Sequence, residues 1–192
     1  LQGKLKSGQS LKQDEIAGQL SVSKIPVREA LVQLQAEGLV RLTPNRGAIV
    51  SSLTYHEVAE IYTMRLALEP IALTRAIPNM TLADFVQMDH LLTRIDHETD
   101  LTRWAELNWE FHAALYQPAH MPLLLQTVRE LHHNVVRFLI RYVNEEQLRR
   151  SQAQHREIVA QCRAKNSSMA VDLLRQHLGD PVEMFVSNLN KD

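Results

Sequence analysis

Along most of the chain apolar residues recur at intervals of three and four, the spacing of one face of an α-helix, and the main exception is a short stretch near the N terminus. From Gln13 to Leu20, Ile16, Ala17 and Leu20 mark one apolar face, with Asp14 and Glu15 in the first turn, where the helix dipole favours acids. After "SVS" a second helix is predicted. Pro26 stands near its start, where a missing N–H costs nothing, and Val27, Ala30, Leu31 and Leu34 follow at i, i+3, i+4 and i+7. Gly38 ends that helix, and "LVRLT", a "PNRG" turn and "AIVSSL" then read as a β-hairpin. Two short helices at a sharp turn followed by a hairpin form the winged helix-turn-helix pattern. Everything after Ser52 reads as helix. Thr54 and Glu57 are spaced as a capping box opening a helix that Pro78 closes, Thr81 and Asp84 open the next, and amphipathic segments follow at 101–116, 121–142, 146–163 and 167–188. The predicted fold is mainly α: a winged helix-turn-helix over residues 1–53, then an all-helical antiparallel bundle over 54–192.

Composition adds to this picture. With 45% hydrophobic residues among 192, each unit has enough apolar side chains for a core of its own. The longest run without a charged residue, Phe111 to Val128, contains His112, Gln117, His120 and two prolines, so it is not a membrane span. A single cysteine, Cys162, cannot form an internal disulfide, which suits a reducing compartment and gives a cytoplasmic expectation. The first residues lack the apolar core of a signal peptide and an initiator methionine, so the N terminus is expected to be truncated.

Charge is unevenly spread. Residues 1–52 carry seven Lys/Arg against four acids, a net of +3, while the remaining 140 carry 14 against 18, a net of −4. A basic module joined to an acidic partner follows. In the second helix Val27, Ala30, Leu31 and Leu34 fix the core face, which leaves Lys24 and Arg28, one turn apart, on another side with Ser23 just before them. A helix start of this kind, with its dipole and free N–H groups, can face DNA phosphates and base edges. It can equally be a solvated basic helix end.

The stretch "LKSGQSLKQDEIAGQLSVSKIPVREALVQLQAEGLVRLTPNRGAIV" resembles the DNA-binding domain of GntR-family bacterial transcription regulators through "VSKIPVREAL", "AEGLV" and "RGAIV". Ser21 stands for the usual Gly, Lys24 for the usual Arg and Ile25 for the usual Thr. The resemblance implies that Ser23, Lys24, Arg28 and the wing residues Arg46 and Gly47 contact DNA. Lysine at 24 keeps a phosphate contact but loses the bidentate reading of guanine, so Arg28 is the better reader of a base edge. Some relatives carry a basic residue in the preceding helix where this chain has Asp14, and that contact is not carried over.

In the second unit Asn108 and His112 are i and i+4, so they share a helix face. His155 and His177 lie eleven residues either side of Asn166, in the break between two helices. In an antiparallel hairpin each sits roughly 16 Å from the turn, at one height. Neutral imidazoles suit Zn²⁺ or Ni²⁺, and three of them with an oxygen donor leave a position open for water or an anion. "LNWEFHAAL", "QHREIVAQC" and "AVDLLRQHL" are similar to the signature pieces of the FCD effector domain found behind GntR-type modules. The resemblance implies a divalent transition metal on Asn108, His112, His155 and His177, with Asn108 replacing the usual Asp. His120, His132 and His133 have no such match and are read as non-ligands. Metal affinity is expected to fall as pH drops through the histidine range near 6.5.

Arg65 falls on the apolar stripe of Val58, Ile61, Leu68 and Ala72. Buried there, it needs a partner: either Glu69 at i+4, or a bound carboxylate, the role implied by the similarity of Arg65 to Glu69 to the first helix of the FCD domain. Arg137 and Arg141 are read as solvated. Cys162 is two turns from His155, too far to share its metal.

The resulting expectation is a GntR-type regulator of the FCD subgroup, not an enzyme. It would bind a double-stranded, pseudo-palindromic operator as a homodimer, and a small carboxylate effector would change its operator affinity; relief of repression is what the family resemblance implies, while no residue of the chain fixes the sign. The rival readings are a metal-dependent hydrolase built on the histidines and a helical interaction protein with a structural metal. For the hydrolase, no general base accompanies the cluster: Glu157 is on another face from His155 and an H-E-x-x-H arrangement is absent.

Overall fold

A computed structural model describes residues 5, 8–36, 38–44, 47–51 and 53–189, with residues 36, 137–142 and 182–189 described by their backbone alone. The chain divides into two compact units, Leu1–Leu53 and Thr54–Asp192. Among the described residues no helix is long and apolar enough to cross a membrane.

The first unit runs β1 (Ser10–Leu11), α1 (Gln13–Leu20), α2 (Lys24–Ala36), β2 (Val40–Thr43) and β3 (Gly47–Val50). Its sheet has the antiparallel order β1-β3-β2, with Ser10 opposite Ile49 and Leu42 opposite Ala48. The core consists of Leu11, Ala17, Val27, Leu31, Val40 and Ala48. Two residues expected to be apolar contacts face outward instead, Leu20 at 65% exposure and Ala30. Strand β1 is too short for alternation to reveal it.

Two backbone positions hold this unit together. Ser21 ends α1 in the left-handed region at φ 54°, and its N–H bonds back to Gly18. Glycine is preferred there because a Cβ is strained at positive φ. Gly47 opens β3 at φ +89°, and a Cβ at this position would lie 2.1 Å from the Leu11 carbonyl oxygen. Only glycine lets β1 approach β3 this closely.

The second unit is helical throughout: α3 (Tyr55–Ala76), α4 (Leu82–Asp96), α5 (Leu101–Tyr116), α6 (Pro122–Tyr142), α7 (Glu145–Arg163) and α8 (Ser167–Leu189), with 3-10 turns at Ile77–Asn79 and Gln117–Ala119. Capping boxes start α3 (Thr54 with Glu57), α4 (Thr81 with Asp84) and α7 (Asn144 with Gln147), and Asp100 caps α5. Each satisfies N–H groups that the first helical turn leaves open. α3 packs on α8, α6 and α5, α4 packs on α5 and α7, and α7 and α8 form an antiparallel hairpin. Phe111, Leu115, Met88, Ile158 and Leu174 are central to one continuous apolar core. Arg65 and Glu69 lie within the buried face of α3 and His112 within that of α5, so the core of this bundle is not purely apolar.

The glycine geometry gives a direct test. Gly47→Ala should destabilise the first unit by about 1–3 kcal/mol, since the new Cβ meets backbone rather than a movable side chain. Ser21→Gly should instead stabilise it, by at most about 1 kcal/mol. Thermal denaturation of the two variants beside wild type checks both signs.

Candidate functional site

Three helices bring the histidines together. His112 lies on α5, His155 on α7 and His177 on α8, and one ring nitrogen from each falls within 4.8 Å of the other two. His155 and His177 come closest, with 3.2 Å between their Nε2 atoms. His112 and His155 are 1% and 0% exposed, while His177 opens part of its edge to an adjoining cavity. The ordinary amphipathic pattern would place apolar residues at such positions.

The hydrogen bonds around the cluster assign the protons. Gln152 donates its amide N–H groups to the Leu92 carbonyl (3.1 Å) and to Asp96 (2.9 Å), which turns its Oε1 toward His155 Nδ1 at 2.9 Å. An amide oxygen only accepts, so His155 Nδ1 carries the proton. Gln154 repeats the device: its Nε2 donates to Asp180 (2.7 Å) and its Oε1 accepts from His177 Nδ1 (3.1 Å). On α5, the Tyr116 hydroxyl donates to Glu69 Oε2 at 2.6 Å and so presents its oxygen to His112 Nδ1 at 3.2 Å. All three rings are therefore Nδ1-protonated, with the Nε2 lone pair bare. His112 Nε2 and Asn108 Oδ1, one helical turn earlier, have no partner among the described residues. Two lone pairs at 3.2 Å repel, and two more orphaned acceptors lie close by in the fold. This donor set fits a divalent transition metal.

Burial reinforces the neutral state. It holds His112 and His155 well below the ordinary histidine value, with the neighbouring imidazoles adding to the effect, and it pushes His177 down to about 3, with Arg65 second. In the folded, metal-free protein these rings therefore resist protonation below the ordinary histidine range.

Arg65 is 3% exposed and donates from Nε to Glu69 Oε1 at 2.6 Å, so the expected i+4 pair is present. Burial works against its charge, but Glu69, Tyr62 and Tyr116 more than offset that and keep the guanidinium protonated. The same side chain lines a cavity of about 450 Å³ with Asn108, His112 and His177. It is therefore both the ion-pair partner of Glu69 and a cationic wall of the cavity. The chain of contacts from His112 through Tyr116 and Glu69 to Arg65 is buried along its whole length.

Of the other histidines, His120 caps a 3-10 turn and His133 is an exposed residue against Trp109. His132 is a non-ligand, as the sequence reading has it, but it is not an ordinary surface residue. It gives no nitrogen to the cluster, but it is 2% exposed and lines the cavity, and the Ala105 backbone approaches it without a well-aligned hydrogen bond. Cys162 is buried away from the cluster, its thiol pushed up to about 12 by burial. Tyr116 could have been found by spacing, four residues after His112. Gln152 and Gln154 carried no signal, because polar residues flanking a buried one are ordinary on a helix.

In the first unit, Ser23 precedes α2 and is exposed, as is Arg28 one turn into it. Lys24 is also exposed, but its Nζ lies 2.7 Å from Asp14 of α1. Such a surface pair contributes about 0–1 kcal/mol. Gly47 is buried against Leu11, so its part in the wing is to shape the backbone. Arg46 lies outside the described residues, as do the side chains of Arg137 and Arg141.

Comparison with known proteins adds an independent line. Residues 60–180 match the FCD domain and residues 1–50 the family described as bacterial regulatory proteins, gntR family. An uncharacterized HTH-type transcriptional regulator of Mycobacterium tuberculosis is 32% identical over 145 residues, which are 75% of this chain and 59% of that one. This chain thus spans 59% of that relative's length. The HTH-type transcriptional repressor GlaR of Escherichia coli is 26% identical over 197 residues, covering 96% of this chain and 90% of its own. A GntR-family regulator from Pseudomonas syringae, known as a crystal structure, superposes with a TM-score of 0.61 at 30% identity, over 99% of this chain and 82% of that one.

The lowered histidine values carry a stability prediction with a defined sign. In the unfolded chain these histidines take up protons below about 6.5, whereas the folded, metal-free protein resists protonation. Their contribution is full above 6.5 and is lost as pH falls toward the depressed values. Denaturation midpoints of the metal-free protein should therefore fall between pH 7 and 5, above the ordinary carboxylate range, and His177→Gln should flatten that slope.

Proposed function

This chain belongs to the GntR family of bacterial regulatory proteins and carries its FCD domain, and from that premise we propose that it is a metal-dependent, ligand-responsive DNA-binding regulator. The observation that carries the effector half of this reading is the convergence of one ring nitrogen from each of His112, His155 and His177 within 4.8 Å, next to a cavity that His112 and His177 line. His112, His155 and His177, with the amide oxygen of Asn108, would hold a divalent transition metal, zinc or nickel by donor type. When bound, that ion supplies a cationic centre, which attracts an anion. The surrounding residues do the rest. Gln152, Gln154 and Tyr116 keep the imidazoles neutral and aimed, and Asn108 adds no charge, so the centre stays more positive than one with the usual Asp. Arg65 supports a carboxylate as the ligand, because a guanidinium on the cavity wall recognises a planar anion.

The route to DNA runs through α3. A carboxylate in the cavity competes with Glu69 for Arg65, and Glu69 is also the acceptor for Tyr116. Ligand binding therefore bears on the buried face of the helix that follows the DNA-binding unit directly in the chain. A two-state shift of α3, biased by the ligand's differential affinity, changes the placement of paired DNA-binding units on a palindromic operator. A homodimer supplies that pair, and two linked half-sites raise affinity through effective concentration. GlaR, a relative named as a repressor, supports repression as the mode of action. The hydrolase reading is not favoured, since the relatives are named as transcriptional regulators.

Arg28 is the reader of a base edge in this scheme and Lys24 a phosphate contact already half-neutralised by Asp14. On an operator selected from random duplexes, Arg28→Ala should weaken specific binding by about 1–3 kcal/mol and relax selection at one base pair per half-site. Asp14→Asn should strengthen binding to all sequences alike, by releasing Lys24. Band-shift titrations at matched salt separate these outcomes, and unchanged binding by Arg28→Ala would exclude it as the reader.

The effector half is tested by titrating the operator complex with a panel of small carboxylates. In zinc-loaded wild type at least one acid should change operator affinity by about 5–150-fold. His155→Ala should bind no zinc and lose that response, yet still bind operator. A response surviving in His155→Ala would refute the metal-held ligand.

A further inference from the structure

The cavity beside the three histidines contains one more buried polar group that the metal reading leaves unused. His132, on α6, is 2% exposed and lines the cavity wall; the Ala105 backbone approaches its ring, yet neither ring nitrogen makes a well-aligned hydrogen bond among the described residues. Trp109 packs against the ring at a tilt, with 5.2 Å between centroids. Its ring centroid is 6.1 Å from that of His112, but none of its nitrogens falls within the metal-ligating cluster. An imidazole left unpaired inside a protein is unfavourable, and such groups are rare unless something outside the chain pairs with them. The cavity, at about 450 Å³, is far larger than one water, whose share of liquid volume is about 30 Å³. Trp104, Val136 and Leu178 line it with apolar surface, the usual wall for the carbon skeleton of a small molecule.

We propose that His132 is a ligand-recognition residue, donating a hydrogen bond to an oxygen at the far end of a small organic acid whose carboxylate is held at the three-histidine centre. The ligand class is then a short acid with a second oxygen function, a hydroxyl or a second carboxyl, and not a simple monocarboxylate. A ligand lacking that oxygen leaves the imidazole unpaired, and a site built around a buried polar group rejects such a ligand. This assignment rests on the metal-held carboxylate proposed above.

The test uses matched acids on the zinc-loaded full chain by calorimetry: propionate against 3-hydroxypropionate, and butyrate against succinate. Wild type should bind the oxygen-bearing member of at least one pair about tenfold or more tighter. His132→Phe, which keeps a flat ring against Trp109, should bring that ratio close to one while zinc stoichiometry and affinity for the plain acid stay unchanged. His132→Gln, which retains a donor, should keep part of the preference. If His132→Phe does not fold, His132→Leu serves for the same comparison. A preference that survives removal of the imidazole, or wild type without preference in both pairs, overturns the assignment and leaves His132 a packing residue. Absence of zinc from wild type is read out separately and would overturn the metal reading on which this one stands.

Discussion

Three imidazole nitrogens with bare lone pairs meet inside the helical unit, and most of what is unusual about its core follows from keeping them so. An unpaired acceptor in an apolar interior is unfavourable, and two of them 3.2 Å apart are more so. The chain holds this arrangement by fixing the opposite nitrogen of each ring. Gln152 and Gln154 are themselves anchored by Leu92, Asp96 and Asp180, so their oxygens cannot turn away. Tyr116 is anchored by Glu69, and Glu69 by Arg65. Buried charge on α3 is thus the far end of a polar network whose near end is the three-histidine cluster. Replacing Arg65 and Glu69 by apolar residues would pack a simpler bundle and free Tyr116 to turn, and His112 with it.

That network also gives the proposed switch a physical basis. Coupling between two sites needs an element with two arrangements that both sites bias. Arg65 is the one cationic group among the described residues that both lines the cavity and is paired to the Glu69–Tyr116–His112 chain. In that proposal a bound carboxylate would change what Arg65 faces, and the effect would fall on α3, not on a distant surface. The asparagine at 108 matters for the same reason. In the proposed scheme an aspartate there would strengthen the hold on a cation but repel an anionic ligand, whereas the amide offers an oxygen without that repulsion.

Much of this was legible in the sequence, and the omissions have physical causes. The helices from Thr54 onward were readable because apolar period and capping residues agree, as at Thr54 with Glu57 and Thr81 with Asp84. For the histidine cluster, helical arithmetic showed that convergence was possible, through a shared face for Asn108 and His112 and equal height for His155 and His177 about the turn at Asn166, and the resemblance to the FCD domain singled these residues out. Strand β1 was not, because two residues cannot show a period, and its existence depends on a tertiary approach at Gly47. Nor were Gln152 and Gln154, whose role exists only once α4 and α8 are beside α7. His132 was passed over because its spacing matched no ligand pattern, and only its burial without partners sets it apart. Lys24 reads as a free cation in sequence, and only the packing of α1 on α2 brings Asp14 to it.

The proton assignment is the claim on which the rest stands, and imidazole nitrogen chemical shifts report it directly. Two-dimensional nitrogen–proton correlation of the ¹⁵N-labelled, metal-free protein at neutral pH should show His112, His155 and His177 as neutral rings protonated at Nδ1. Addition of one equivalent of zinc should then move the Nε2 resonances of these three and leave His120 and His133 where they were. Rings protonated at Nε2, or a zinc response centred on other histidines, would contradict the account at its root.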